Sequence, residues 1–310
     1  MPSPTVSLTA NRKKGMLCRV RRISQGPVPW LAPLLLLLAV FFLFSIVELV
    51  RMSFTNSTMD SNSFHYTLNS YRRVFTDSSF PQILGVTFFF VTFSVVFQFI
   101  LGFVIALAVD SGELLGMRGT VIARTVALIS WSVPGVVIGI IWNILYNESP
   151  SGIINYLLSF FHINAIPFFS NQYIALLAVS IANVWRGTAQ GMILMYAGLK
   201  TVSRDMIEAA DVDGANAWTK LFEIIIPAIR PIIVINILLN IINTFNTFDM
   251  VISLTNGGPG HGTEVLVLHS YNTTFQNLDL GKGAAIAVVL LAINILMSAI
   301  YVKISKEKEA

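Results

Sequence analysis

Three asparagines, Asn236, Asn240 and Asn243, recur at i, i+4 and i+7 and so share one face of a helix. Carboxamides both donate and accept hydrogen bonds, as a hydroxyl-rich solute requires. Thr247 continues the stripe, Asn246 sits to one side, and Phe245 and Phe248 offer ring faces for stacking. The same amides could instead bond a neighbouring helix within a bilayer. Either role suits a single Asn, whereas the stripe as a unit reads as the wall of a pathway. Arg186 lies inside an apolar stretch, with Asn183 one turn before it and Gly187, Thr188 and Gln190 after it. A charge in that setting costs about 2.5 to 3.5 kcal/mol on insertion scales and faces a cavity or a partner. An ion pair with Asp249 or with a partner subunit is the first reading, and direct contact with a solute the second.

No constellation for covalent chemistry accompanies these groups. H-E-x-x-H, G-x-S-x-G and the G-x-x-x-x-G-K-[ST] phosphate loop are absent. The four histidines, at 65, 162, 261 and 269, lack metal-site spacing, and His261 in its Gly-rich turn reads as solvated. Cys18 is the only cysteine and forms no internal bridge. Binding and passage, rather than catalysis, are what these residues can do. An ion-coupled secondary transporter of small polar solutes is the alternative, but it wants carboxylates at mid-membrane. Glu48 and Asp249 both fall near the ends of apolar stretches.

The elements that position these residues follow from composition. Of 310 residues, 12% are charged and 55% apolar, with a mean hydropathy of +0.72; a soluble domain carries about 25% charged residues. The bilayer must be the solvent for most of the chain, which excludes a disordered protein, a disulfide scaffold and most nucleic-acid-binding modules. A crossing helix needs about 20 apolar residues. Six stretches qualify: 30–50, 83–109, 121–145 (containing Pro134 and Gly135), 173–199, 232–249 and 284–302. The first follows six basic residues but exceeds a signal's apolar core and has no cleavage site after it, so it reads as a retained anchor. Trp131, Trp142 and Tyr146 read as packing residues or interface anchors, and the short apolar run Gly152–Leu158 as lying along the outer interface. With the N-terminus inside, fifteen Lys and Arg fall on the cytoplasmic side and four outside. Both termini are therefore expected in the cytoplasm of a multi-pass cell-membrane protein.

Between the fourth and fifth stretches the chain predicts two short helices meeting at a glycine. Ser203 is a good N-cap, Asp205 and Glu208 suit the positive end of the helix dipole, and Gly214 can take the left-handed closing conformation. A second helix starts near Ala217 and is interrupted by Pro227 and Pro231. The bland reading is a surface hairpin. Yet Glu208-Ala209-Ala210, then Gly214, then Ile224, Ile226 and Pro227 resemble the E-A-A…G…I-x-L-P motif of permease subunits of binding-protein-dependent ABC importers. Asp213 and Ala215 flank Gly214 as in that motif, and Ile226 stands where leucine is usual. Phe248-Asp249 followed by Leu254-Thr255-Asn256-Gly257-Gly258-Pro259 is similar to the end of the fifth span in carbohydrate permeases of the maltose and glycerol-phosphate type. The segment 51–82 is too short for the large external insertion of one maltose-system subunit, so that system itself is not implied.

The resemblance implies an all-α type I ABC importer permease fold of six transmembrane helices with a cytoplasmic coupling helix in a loop over 200–228. It divides the chain into a basic N-terminal segment (1–29), an anchor helix (30–50), a core permease domain (83–303) and a short tail (304–310). It implies as partners a second homologous permease, two ATP-binding cassette subunits, an extracytoplasmic solute-binding protein, membrane lipid and a sugar or oligosaccharide. No cofactor would be bound by this chain, since ATP and Mg would sit on the ATPase subunits. Glu208, Ala209, Ala210, Asp213, Gly214, Ala215 and Pro227 would form the ATPase-docking loop. Asn183, Arg186, Asn236, Asn240, Asn243, Phe245, Asn246, Phe248 and Asp249 are the candidate pathway residues.

Overall fold

In the computed structural model, residues 28–60, 65–149 and 152–307 are described. The basic segment 1–29 falls almost wholly, and the tail 304–310 in part, outside them. The chain divides into two units, residues 1–52 and 53–310. In the first, helix α1 (Trp30–Ser53) is apolar up to the Glu48–Arg51 ion pair near its end, and none of its most apolar window is buried.

The second unit is helical, with a lone Thr55–Tyr66 bridge as its β pairing among the described residues. Its elements are α2 (Asn69–Phe75), α3 (Phe80–Leu114), α4 (Thr120–Ser132), α5 (Gly135–Leu145), α6 (Ile153–Ser159) and α7 (Gln172–Leu199). There follow α8 (Arg204–Val212), α9 (Ala217–Ala228), α10 (Arg230–Phe245), α11 (Asp249–Leu254), α12 (Leu266–Tyr271) and α13 (Leu280–Glu307). Local chemistry sets the ends. Pro81 sits in the first turn of α3, where an N–H has no partner to lose. The Asn171 side chain caps α7, accepting from the backbone N of Tyr173 at 2.9 Å and Ile174 at 3.2 Å.

Among the described residues, three helices are long and apolar enough to cross a bilayer, α1, α3 and the Leu280–Tyr301 part of α13, or up to five if each of two bent pairs is one span. At 28 residues α7 is long enough, but its polar residues keep it outside that set. The stretch expected to cross over 121–145 is broken at the Pro134 it contains, where α4 and α5 meet at a bend of 100°. Pro134 removes a donor and forces the residue before it out of helical geometry; Val133 sits at φ −72°, ψ 129°. The expected helix over 232–249 is corrected: α10 ends at Phe245 and α11 starts at Asp249. Here side chains take over the last carbonyls. Asn246 Nδ2 donates to Ile242 O at 2.7 Å and Thr247 Oγ1 to Asn243 O at 3.0 Å.

Packing is layered along the helices. One apolar cluster includes Phe90, Val95, Ala182, Phe245, Met250 and Leu266; a second holds Phe103, Ala106, Met192, Met195, Leu199 and Ile229. Gln98 on α3, the stretch from Asn183 to Gln190 on α7, and Asn236, Asn240 and Asn243 on α10 fall between the two. The α3–α7 contact is close enough to require glycine: a Cβ on Gly102 would lie 2.8 Å from the backbone N of Met192. Small residues are how helices approach where lipid removes the hydrophobic drive between them. In the turn before α12, His261 is exposed, as read, and also bonds the buried Glu264 through Nδ1, as does His269 at 3.0 Å. Burial works to raise the Glu264 pKa, but the bonds from the two histidines hold its carboxyl below the usual range.

Candidate functional site

A cavity of about 440 Å³ opens in the polar layer. Helix α7 supplies Asn183, Arg186, Gly187 and Gln190, which at i, i+3, i+4 and i+7 form one face. Helix α10 supplies Asn240, Asn243 and Thr244; the break after it supplies Asn246, Thr247 and Phe248, and α11 begins with Asp249. Gln98 of α3 and Trp131 of α4 complete the wall. Of the nine expected pathway residues, seven meet here: Asn183, Arg186, Asn240, Asn243, Asn246, Phe248 and Asp249. Asn236 and Phe245 do not. Asn236 is fully buried and donates to Gly191 O on α7 at 3.3 Å. Phe245 packs edge-on against Phe88 with ring centroids 6.0 Å apart.

The amides other than Asn183 have defined partners. Gln98 Nε2 donates to Asn183 O at 2.9 Å, and the amide of Gln98 fits only because Gly187 lacks a Cβ that would overlap it. Asn240 Nδ2 donates to Asn236 Oδ1 at 3.2 Å, and Asn243 Nδ2 to Gln190 Oε1 at 3.0 Å. Asn183 Nδ2 is buried with no partner among the described residues, so a donor stands unused beside the cavity. Arg186 Nη1 lies 3.3 Å from Asp249 Oδ1, joining α7 to the start of α11. Both side chains are partly exposed to the cavity, so the pair orients these groups more than it stabilises the fold.

Sequence reasoning missed Gln98, Gln190 and Thr244 as wall residues, and set Trp131 aside. A lone Gln in an apolar helix and the α7 spacing were the available signals. The geometry separates two kinds of amide. Asn236→Ala, which deletes a buried interhelical bond, is expected to lower thermal stability by about 1–2 kcal/mol. Asn243→Ala, exposed at the cavity, is expected to reduce transport per assembled complex with little change in melting temperature. Measuring both quantities on the same preparations tests the division, and equal effects on stability would end it.

The second site is the loop. Ser203 stands at the N-cap of α8, but its hydroxyl makes no capping bond. Helix α8 closes with Gly214 at φ +76°, Gly214 N donating to Asp211 O at 3.2 Å and Ala215 N to Ala210 O at 2.9 Å. This paired closure satisfies the last carbonyls. Asn216, which sequence reasoning did not single out, caps α9 by accepting from Thr219 N at 2.8 Å. A π-helical stretch, Lys220–Ile225, widens α9 just before Pro227, giving the proline ring room. Glu208, Ala209, Asp213 and Pro227 are exposed, Ala215 is half-buried and Ala210 is buried. Val212 (89% exposed), Trp218 (69%) and Phe222 (58%) add an apolar surface, with the two rings stacked 5.9 Å apart.

A bundle of long apolar helices around a polar cavity, with a glycine-closed loop, defines a membrane permease. The fold is shared with a bacterial ABC transporter involved in the import of the acidic polysaccharide alginate, with a TM-score of 0.80 at 18% identity over 94% of this chain and 98% of that one. Residues 98–309 match the binding-protein-dependent transport system inner membrane component family, and the chain belongs to it. It is 30% identical over 240 residues to the trehalose/maltose transport system permease protein MalF of Thermococcus litoralis, covering 77% of this chain and 79% of that protein. It is 29% identical over 281 residues to the sulfoquinovosyl glycerol transport system permease protein SmoG of Agrobacterium fabrum, covering 90% of each. Members of this family are permease subunits powered by separate ATPase subunits. The chain is therefore not the enzyme of its system, and the ion-coupled alternative is not favoured.

Proposed function

We propose that this chain forms, with a second homologous permease, the translocation pathway of a carbohydrate ABC importer. An extracytoplasmic binding protein delivers a sugar or oligosaccharide, and two ATP-binding cassette subunits, which hold ATP and Mg, drive its passage. The observation that carries this reading is the amide-lined cavity in a chain of this family. Its groups donate to and accept from hydroxyls, and Trp131 and Phe248 offer ring faces, as a sugar requires. Two relatives named for transport of trehalose/maltose and of sulfoquinovosyl glycerol support the substrate class. The loop 200–228 is the ATPase dock, its exposed Glu208, Ala209, Trp218 and Phe222 meeting the partner.

Six crossings complete the reading, assigned to α1, α3, the bent α4–α5 pair, α7, α10 and α13, with both termini cytoplasmic and the core permease domain spanning 83–303. The fifteen-to-four distribution of Lys and Arg supports this orientation. With Cys18 replaced by Ser, a cysteine at Asn171 is expected to react with an impermeant thiol reagent from outside intact spheroplasts, and one at Thr219 only after lysis. Labelling of position 219 in intact cells would reverse the topology. For the function itself, uptake of a sugar panel by the complete importer in proteoliposomes is expected to require enclosed ATP and external binding protein. Uptake that follows an ion gradient without ATP would refute it.

A further inference from the structure

On the reading of the cavity as the sugar pathway, we infer that it selects uncharged saccharides over anionic ones, and that Asp249 is the residue that sets this selectivity. Arg186 and Asp249 are the charged residues of the wall. Their charges cancel across 3.3 Å, so the guanidinium is already opposed before any solute arrives. The other positive feature nearby is the N-terminus of α5, the helix beyond the Pro134 bend. Asp249 answers that as well: a Cβ on Gly135, the first residue of α5, would overlap its carboxylate. An anion entering the cavity meets the Asp249 charge without a free cation to offset it.

The hydrogen-bonding inventory points the same way. Gln98 and Asn246 each direct one N–H to a backbone carbonyl, of Asn183 and Ile242. Asn240 directs one N–H into a relay that ends on a backbone carbonyl: Asn240 donates to Asn236 Oδ1, and Asn236 donates to Gly191 O. A backbone carbonyl accepts only, so all three amide orientations are determined. The Thr247 hydroxyl hydrogen is likewise spent, on Asn243 O. Beside the remaining amide hydrogens and the unpartnered Asn183 Nδ2, these side chains hold the oxygens of Gln98, Asn240, Asn246 and Thr247 open to a ligand. A sugar hydroxyl brings a hydrogen to each such acceptor. A carboxylate, phosphate or sulfonate brings none, and its lone pairs face theirs.

The test is direct binding to the purified complete permease–ATPase complex in nanodiscs, without binding protein, so that delivery does not decide the outcome. The probes are trehalose, maltotriose and the uronate of each, in which one CH2OH is a carboxylate. Wild type is expected to bind each uronate roughly tenfold more weakly than its neutral parent. Asp249→Asn, close in shape, is expected to narrow that ratio to about twofold. Arg186→Gln leaves Asp249 unopposed and is expected to widen it; damage to the site would instead weaken both members of a pair alike. Equal or tighter binding of the uronates by wild type overturns the inference whether or not the variants assemble, as does an unchanged ratio in both variants. Binding of neither member of any pair by intact complex overturns the pathway reading itself, and the charge selection falls with it.

Discussion

Gly214→Val is expected to cut uptake by the assembled importer, and transport-coupled ATP hydrolysis with it, by a factor of roughly 5–30. Gly214 sits at φ +76°, in the left-handed region, where an L side chain costs roughly 1–2 kcal/mol and a β-branched one is the worst choice. Nothing lies within 4 Å of a Cβ built there, so the penalty is conformational and not a clash. Relieving it means giving up the bonds from Gly214 and Ala215 that close α8, which turns Glu208 and Ala209 away from the exit direction of α9. Asn enters the left-handed region more readily, so Gly214→Asn is expected to keep most of the activity. Uptake and ATP hydrolysis in proteoliposomes, with retained ATPase measured by co-purification, read the effect. If Val matches wild type, or Asn is as impaired as Val, the closure is not what positions the loop.

Gly102→Val is expected to abolish recovery of folded complex. The obstacle is the backbone of α7 itself: a Cβ at 102 would lie 2.8 Å from Met192 N and 3.0 Å from Gly191 C. Overpacking a core costs about 1–3 kcal/mol when side chains can adjust, and here they cannot relieve the contact. The two helices must separate, which carries Gln98 away from Asn183. Gly85→Val, on the same helix with nothing within 4 Å of its Cβ, is the matched control and is expected to fold. Size-exclusion yield and melting temperature in detergent compare them. Recovery of Gly102→Val at the control's level would show that α3 and α7 do not depend on this approach.

The two sites differ in how much of them could be read from the chain. The loop was largely legible, because each of its devices acts over a few residues. Gly214 closes the helix that Glu208 and Ala210 belong to, and the second helix starts close to Ala217 as expected. Trp218 and Phe222 stood in view, but their exposure depends on how α8 and α9 fold back, and that no local rule supplies. The cavity was legible in part. The asparagine periodicity placed Asn236, Asn240 and Asn243 on one face, yet α10 turns that face so that Asn236 bonds α7 while Asn243 reaches the cavity.

By itself the sequence determined that the protein is a helical membrane protein, where its apolar stretches lie and where its loop bends. Hydropathy, helix capping and proline geometry act between near neighbours, so they survive without knowledge of the fold. Only the tertiary structure decided which polar groups meet. Arg186 and Asp249 stand 63 residues apart, and Gln98 reaches Asn183 across 85. Those meetings depend on the 100° bend at Pro134, the break after Phe245 and the approach of α3 to α7 through Gly102. Helical periodicity says which residues share a face; the packing of whole helices says what that face is turned toward.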